Sequence, residues 1–436
     1  MSAPPLRRIL GPTTTVLVGI GVALGSGILR TPPLVAATLG SGPAVIGAWL
    51  LGGLVILASS LIMAELATRY PASGGEYVWL REAFGPFVAF FFGWGYTLFI
   101  VGGGAATIAA AFGDAAVELV GDFLPARAWA GLAVLAVTSA NMVGLRAGAR
   151  LQDVLTVAKV SVVLLGVAVA FSLPSPEVAA GAVQVPALGA VVAVLPPVIW
   201  AYAGSTDVVK LAGEVERPEV VLPRALVATT GLLAAIYVVV NLGLLHALGV
   251  EGLAQSPLPL AEVARRALGP SGQVLVAGAS ALVFLGALSS TILATVRVAW
   301  ALGRDRESLG FLGEMNAGQA PVGALALVGG VALLLALARD FEQILGIYFF
   351  ASAILFGMVY ASLFVFRARE RAAGTREAGI FRCPAPWLMV GVMITVQGAM
   401  AIMVMMSAPR DAAATVGLLA VVALGYRAAQ RREEDG

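Results

Sequence analysis

The sequence predicts an all-α polytopic membrane protein with about 12 transmembrane helices. Composition, the length of the apolar runs and the sidedness of the charge all lead there. Hydrophobic residues are 59% of the 436, charged residues only 12%, and the mean hydropathy is +0.94. Soluble domains carry about 25% charged residues, so this chain cannot cover a water-facing surface. Its hydrophobicity also excludes disorder. A net charge of +2 without a basic stripe argues against nucleic acid as a partner. One cysteine excludes a disulfide framework. One histidine, His246, is too few for a His-ligated metal centre or a Ser-His-Asp triad. No cofactor and no metal are expected.

The apolar runs follow in order. The first, 13–38, begins after Pro12 and ends before Gly40. The second, 43–66, is closed by Glu65 and Arg69; the third, 84–112, opens at Phe84-Gly85. The fourth, 127–145, lies between Arg127 and Arg146, and the fifth, 154–173, stops at Pro174. The sixth, 187–212, follows Pro186 and is closed by Glu214. The seventh, 222–248, and eighth, 272–302, are separated by a more polar stretch. Arg339 closes the ninth, 321–338, and Arg367 closes the tenth, 342–366. Pro409-Arg410 divides the last two, 386–407 and 411–427. The first run starts too late and is too long for a signal peptide. No polar stretch is long enough for an appended soluble domain.

Charge sets the orientation. With the N-terminus in the cytoplasm, 18 arginines fall on inner loops and tails, from Arg7 and Arg8 through Arg306 and Arg376 to Arg432. Six fall on the other side: Arg30, Arg127, Arg265, Arg266, Arg339 and Arg410. That bias puts both termini in the cytoplasm. The expected location is a prokaryotic inner membrane.

Two spans cannot be continuous helices. The first contains Gly25-Ser26-Gly27, then Thr31-Pro32-Pro33. Each glycine costs about 1 kcal/mol of helix propensity against alanine, and Pro32 suits the first turn of a new helix. A break at Gly25–Gly27 is expected. The sixth span has Gly204-Ser205-Thr206 near its middle. Interruptions at matching places, five spans apart, mark a transporter's binding site. Broken backbone at membrane depth survives only when buried in protein or lining a cavity. A helix restarting after Gly27 offers free N–H groups and a positive dipole end, which suits a carboxylate. Carbonyls freed where each first half-helix stops suit an ammonium. Together these describe an α-amino acid. The alternative, that these small residues only pack helices, stays open at this point.

Several motifs resemble the amino acid–polyamine–organocation superfamily, and within it the L-type amino acid transporter branch and its bacterial relatives. They are Gly25-Ser26-Gly27-Ile28 with Thr31-Pro32; Glu65-Leu66 followed by Tyr70-Pro71-Ala72-Ser73-Gly74-Gly75-Glu76-Tyr77; Trp200-Ala201-Tyr202-Ala203-Gly204; and Gly213-Glu214-Val215 through Pro218 to Leu222-Pro223-Arg224-Ala225. Arg297, Ala301 and Arg304-Asp305 resemble the end of the eighth helix. The resemblance implies a LeuT-type fold with a 5+5 inverted repeat and helices 1 and 6 interrupted. The chain is then one membrane domain, 1–436: a first repeat over 1–175, a second over 187–366, and two additional helices over 386–427. It implies a sodium-independent secondary active transporter of neutral amino acids, an exchanger working by alternating access. Proton-coupled symport and transport of cationic amino acids or polyamines are the alternatives.

The resemblance also implies a substrate site at Ala23, Gly25, Ser26, Gly27, Ile28, Trp200, Ala201, Ala203, Gly204 and Ser205. Ser26 and Gly27 would donate to the carboxylate. The carbonyls of Ala23, Trp200 and Ala203 would take the ammonium, and Trp200 would close over the substrate. Lys159, in the fifth span, would stand where sodium-coupled cousins hold a cation, reaching the first helix and Ser289, Ser290 or Thr291. Leu29, Arg30, Ser205 and the run Gly102-Gly103-Gly104 depart from the family pattern and alter the pocket walls.

The remaining charges each admit two readings. Asp207 and Lys210 form either a surface pair or, with Asp207 facing the cavity, a device favouring a cationic substrate. Arg30 either pairs with a carboxylate or lines the approach. Glu65 and the Glu214–Arg224 charges form an inner gate network or a solvated loop. His246 is expected at the outer interface. An ion channel would want a ring-like filter, and no short loop repeats here. No membrane Asp/Glu pair and no nucleotide motif is evident, so neither an enzyme nor a pump is expected. Expected partners are an amino acid and the bilayer. Cys383 precedes Pro384 in an inner loop, so no disulfide-linked heavy subunit is expected.

Overall fold

The computed structural model describes residue 8 and residues 10–143, 145–176, 186–305, 309–339, 341–375 and 378–434. Arg7, Arg306 and Arg376, used above for orientation, lie outside the described residues. Among the described residues, nine stretches are long and apolar enough to cross a membrane, two shorter apolar helices accompany them, and there is no strand. Every expected span finds a helix.

The first span comes in three pieces: α1 (Pro12–Ala23), α2 (Ser26–Arg30) and α3 (Pro32–Leu39). Pro32 opens α3 as its lack of an N–H favours. The break is at Leu24–Gly25, where the backbone is extended, and not across Gly25–Gly27. Gly27 sits inside α2, where a Cβ would lie 2.3 Å from the Cα of Ala201. It is a packing glycine just past the break.

The second span is α4 (Gly42–Arg69). A short helix, α5 (Glu76–Phe84), follows it, between the second and third expected spans. The third span runs through α6 (Pro86–Gly95), a π-helical turn (Tyr96–Val101) and α7 (Gly102–Val120), longer than expected. Then come α8 (Ala126–Val143) and α9 (Leu145–Ser172).

The sixth span begins as α10 (Leu188–Tyr202), opens at Ala203–Thr206 and restarts as a 3-10 helix (Asp207–Glu214). The seventh is α11 (Pro218–Ala254), bent at Gly249, and leads into the amphipathic α12 (Pro259–Leu268). The rest are α13 (Pro270–Asp305), the short α14 (Gly310–Gly313), α15 (Val322–Ala338), α16 (Phe341–Ala373), α17 (Pro386–Ser407) and α18 (Pro409–Glu434).

Lipid tails are as apolar as leucine, so helices in a bilayer associate by close van der Waals packing and a few polar bonds. The core follows that rule. Gly52 and Gly53 on α4 leave the space that Val198 and Tyr202 of α10 fill. Tyr237 meets Trp49 and Tyr202 edge to face there and Trp49 lies tilted against Tyr202, with ring centroids 4.9–6.3 Å apart. Long apolar side chains such as Leu54, Leu165, Leu275 and Met406 point outward, as a lipid-facing surface requires. At one end of the bundle, Leu10 pairs with the strand-like backbone after the 3-10 helix, accepting from Glu216 N–H at 3.0 Å and donating to the Glu214 carbonyl at 2.9 Å.

Candidate functional site

Both breaks open onto one central cavity. Its walls are α1 and α2, α4, the π turn and α7, α10 and the segment after it, α13, α16 and α17. The cavity is about 100 Å³, room for a few waters or one small zwitterion. Of the ten residues expected there, Ala23, Gly25, Ser26, Gly27, Trp200, Ala203 and Gly204 line it. Ile28, Ala201 and Ser205 do not: all three are buried behind the wall. Ala201 is turned away because it is the surface on which Gly27 rests.

The two broken spans are tied to each other across the cavity. Trp200 Nε1 donates to Ser26 Oγ at 3.3 Å. The Trp200 ring meets Tyr348 of α16 edge to face at 5.1 Å, the favoured aromatic geometry. Tyr237 of α11 ties the breaks from behind, donating to the Ala201 carbonyl at 2.6 Å, with the Ala23 carbonyl at 3.3 Å. Of the three carbonyls expected to meet an ammonium, that of Ala23 therefore already has a donor nearby. That of Trp200 accepts from Ala203 N–H at 3.0 Å. A carbonyl has two lone pairs, so each keeps one acceptor site. Tyr237 and Tyr348 were missed in the sequence. Their signal was a hydroxyl carried into an otherwise apolar span, which needs a partner.

Lys159 is buried and does not snorkel to the surface. Its Nζ donates to the Gly21 carbonyl of α1 at 2.9 Å and lies 3.5 Å from Ser290 Oγ of α13. Ser289 is turned the other way, 3.5 Å from Asn141 Nδ2, so it does not share the Lys159 contact. Thr291 is on the cavity wall.

The solvated-loop reading of Glu65 is overturned. Its carboxylate is fully buried and accepts from Arg69 at 2.7 Å, from Arg367 at 3.0 and 2.6 Å, and from Cys383 N–H at 2.8 Å. Glu370 extends this network to Arg69 and Arg382. Burial pushes the Cys383 thiol up to about 11. Glu214 belongs to a separate contact, with Arg297 at 3.4 Å. The surface reading of the Asp207–Lys210 pair is also overturned: Lys210 is fully buried, and Asp207 lies on the cavity wall. Arg30 pairs with Asp114 of α7. His246 Nε2 sits 3.0 Å from the Leu173 carbonyl.

The sequence pattern of the amino acid permease family matches residues 10–426. The chain belongs to that family. It is similar to the serine/threonine exchanger SteT of Bacillus subtilis, 28% identical over 86% of each chain. An uncharacterized transporter of Mycobacterium tuberculosis is 32% identical, over 82% of this chain and 80% of its own. The b(0,+)-type amino acid transporter 1 of Mus musculus is 27% identical, over 83% and 76%. The chain is thus a multi-pass membrane protein of an amino acid transporter family, as the motifs implied.

Proposed function

We propose that the chain is a sodium-independent secondary transporter that exchanges neutral α-amino acids by alternating access. One observation carries this reading: two interrupted helices face a single cavity and are cross-tied there by Trp200 and Ser26. The α2 end, with Ser26 and Gly27, offers N–H and hydroxyl donors to the substrate carboxylate. The carbonyls at Ala23, Trp200 and Ala203 face the ammonium with their remaining lone pairs. Trp200, backed by Tyr348, closes over the bound molecule.

Sodium independence rests on Lys159. Its ammonium joins α1 to α13 through Gly21 and Ser290, and a second cation beside it would be repelled. Exchange is supported by the similarity to proteins named as a serine/threonine exchanger and a b(0,+)-type transporter. Glu65, Arg69, Arg367, Glu370 and Arg382 would form the inner gate network, with both termini cytoplasmic. The moving units would be the halves 1–175 and 187–366, with 386–427 outside them. Cys383, buried behind Glu65, supports a reading without a disulfide-linked subunit. A transport role rather than an enzymatic one fits a cavity walled by small and aromatic residues. A second reading, cationic amino acids or polyamines as substrates, is favoured by Asp207 on the cavity wall.

The test is uptake of labelled amino acids into liposomes holding the purified protein, with and without internal amino acid, in sodium and in choline buffer. Uptake that needs internal amino acid and ignores sodium is expected. Strictly sodium-dependent uptake would sink the Lys159 argument.

A further inference from the structure

The ion cluster beside the cavity does not balance its charges. Lys210 donates to Glu76 Oε1 at 2.9 Å and to Asp207 Oδ1 at 2.6 Å. Its ammonium also lies 5.1 Å from the centre of the Tyr96 ring. The local chain enforces this placement. Gly74 and Gly75 have φ of 106° and 47°, which favours glycine. Gly74 N–H donates to the Lys210 carbonyl at 3.0 Å. A Cβ on Gly75 would lie 3.2 Å from Lys210 Cα. The loop therefore presses onto the 3-10 helix and delivers Glu76, the first residue of α5, to Lys210.

Two carboxylates thus face one ammonium, for a net charge of −1. Glu76 is fully buried and its Oε2 has no partner among the described residues. The other titratable groups facing the cluster are the phenols of Tyr96, Tyr348 and Tyr360. Charges on the packed elements are engaged elsewhere or exposed. Arg297 of α13 faces Glu214, and Arg81 of α5 pairs with Asp305. Glu65 and Arg69 of α4 belong to the Arg367–Glu370 network. Glu219 and Arg224 of α11 are exposed, and α1 carries no charged residue.

We infer that Asp207, Lys210 and Glu76 form a proton site that fills as the cavity closes over substrate. While the cavity is wet, water solvates Asp207. Closure removes that water, and an uncompensated buried charge is costly. One proton from the cavity water, placed on Asp207, leaves a neutral acid, one ammonium and one carboxylate. Lys210 then turns toward Glu76, whose free Oε2 accepts the N–H released. The proton returns to water when the cavity reopens, so nothing else is consumed. This deepens the transport reading and rests on it: amino acid binding and proton uptake become linked, each favouring the other.

Calorimetric titration of L-serine and L-leucine into the purified protein in lipid nanodiscs tests this, in paired buffers of different ionisation heat. With pH scanned, uptake rising to about one proton per amino acid bound is expected where the site fills on binding. Affinity should fall as pH rises there, by at most about tenfold per unit. Asp207→Asn should remove the uptake and Asp207→Glu should keep it. Binding without proton uptake in the wild type overturns the site and leaves the transport reading standing. Uptake that persists in Asp207→Asn, or that disappears in Lys159→Met instead, also overturns it. So does L-arginine binding tighter than either neutral probe with no proton taken up, which would make a cationic side chain the missing charge. No binding of any of these amino acids overturns both readings.

Discussion

The two helix breaks face the same cavity but are built in opposite ways. The first, at Leu24–Gly25, presents mostly backbone and is held by contact from behind. A Cβ on Gly25 would lie 2.8 Å from the Cβ of Ala287, and one on Gly27 would lie 2.3 Å from the Cα of Ala201. The second, at Ala203–Thr206, turns on Gly204, whose φ of 92° and closeness to Val22 both exclude a larger residue. Yet it is flanked by cavity-lining side chains, Trp200 before it and Asp207 after it. On the proposed reading, the first break serves the part every amino acid shares. The second, with α7 and α16, handles closure and the part that differs. Rigid backbone suits an invariant group because it needs no reorganisation on binding.

The comparison breaks most sharply at Gly27. In Gly27→Ala the new methyl meets Ala201 backbone, which no rotamer change can relieve. Overpacking of this kind costs about 1–3 kcal/mol, and here the two helices themselves must separate. Transport should be abolished and the thermal midpoint lowered, read by liposome uptake and by melting in detergent. Near-normal uptake would show that the first break tolerates displacement and is not the fixed partner.

Trp200→Ala, at the second break, is expected to have the next largest effect. Removing the indole leaves Ser26 Oγ without its donor and Tyr348 without its partner ring. Uptake should fall severely while the protein stays folded, because an unclosed site cannot complete the cycle. Equal turnover in mutant and wild type would mean that Trp200 only packs.

A third comparison uses ligands in place of mutations. Competition of uptake by an amino acid, its decarboxylated amine and its deaminated acid separates the two ends of the substrate. A hydrogen bond to a charged group contributes about 1.5–3 kcal/mol, so the amine should compete about ten- to hundredfold less well. An amine that competes equally would remove the carboxylate role of Ser26 and Gly27 and favour an organocation substrate.

The legible part of this site was the part written in backbone propensity. Glycine and proline announce where a helix must stop, so both breaks could be read from Gly25 and Gly204, within a residue or two. Charge in an apolar run announced Lys159 and Lys210. For Lys159 the resemblance implied the first helix and a hydroxyl of the eighth, and Gly21 and Ser290 fill those places; Glu76 for Lys210 and Asp114 for Arg30 could not be read, because they come from remote spans. Wall membership was also invisible at single-residue resolution. Ala201 and Ser205 differ from Ala203 and Gly204 only in which way a distorted turn points them. The π turn at Tyr96–Val101 has no sequence mark, yet it helps bring Tyr96 to the cluster.

The smallest expected effect, and the finest test of the division between the breaks, is Gly104→Ala on α7. A Cβ there would lie 3.8 Å from both the Trp200 and the Tyr348 rings, an ordinary contact that displaces nothing. Helix propensity favours alanine over glycine by about 1 kcal/mol, so the variant should be at least as stable as the wild type. The methyl does take space beside the Trp200 and Tyr348 rings on the cavity wall. One methylene in an apolar pocket is worth about 1–3 kcal/mol of discrimination, and the low end applies where Tyr348 can give way. Uptake of L-leucine should therefore weaken several-fold relative to L-serine, with little change in competition by the carboxylate-free amine. If both amino acids weaken equally, Gly104 borders the shared end of the substrate, and the side chain must be read elsewhere on the wall.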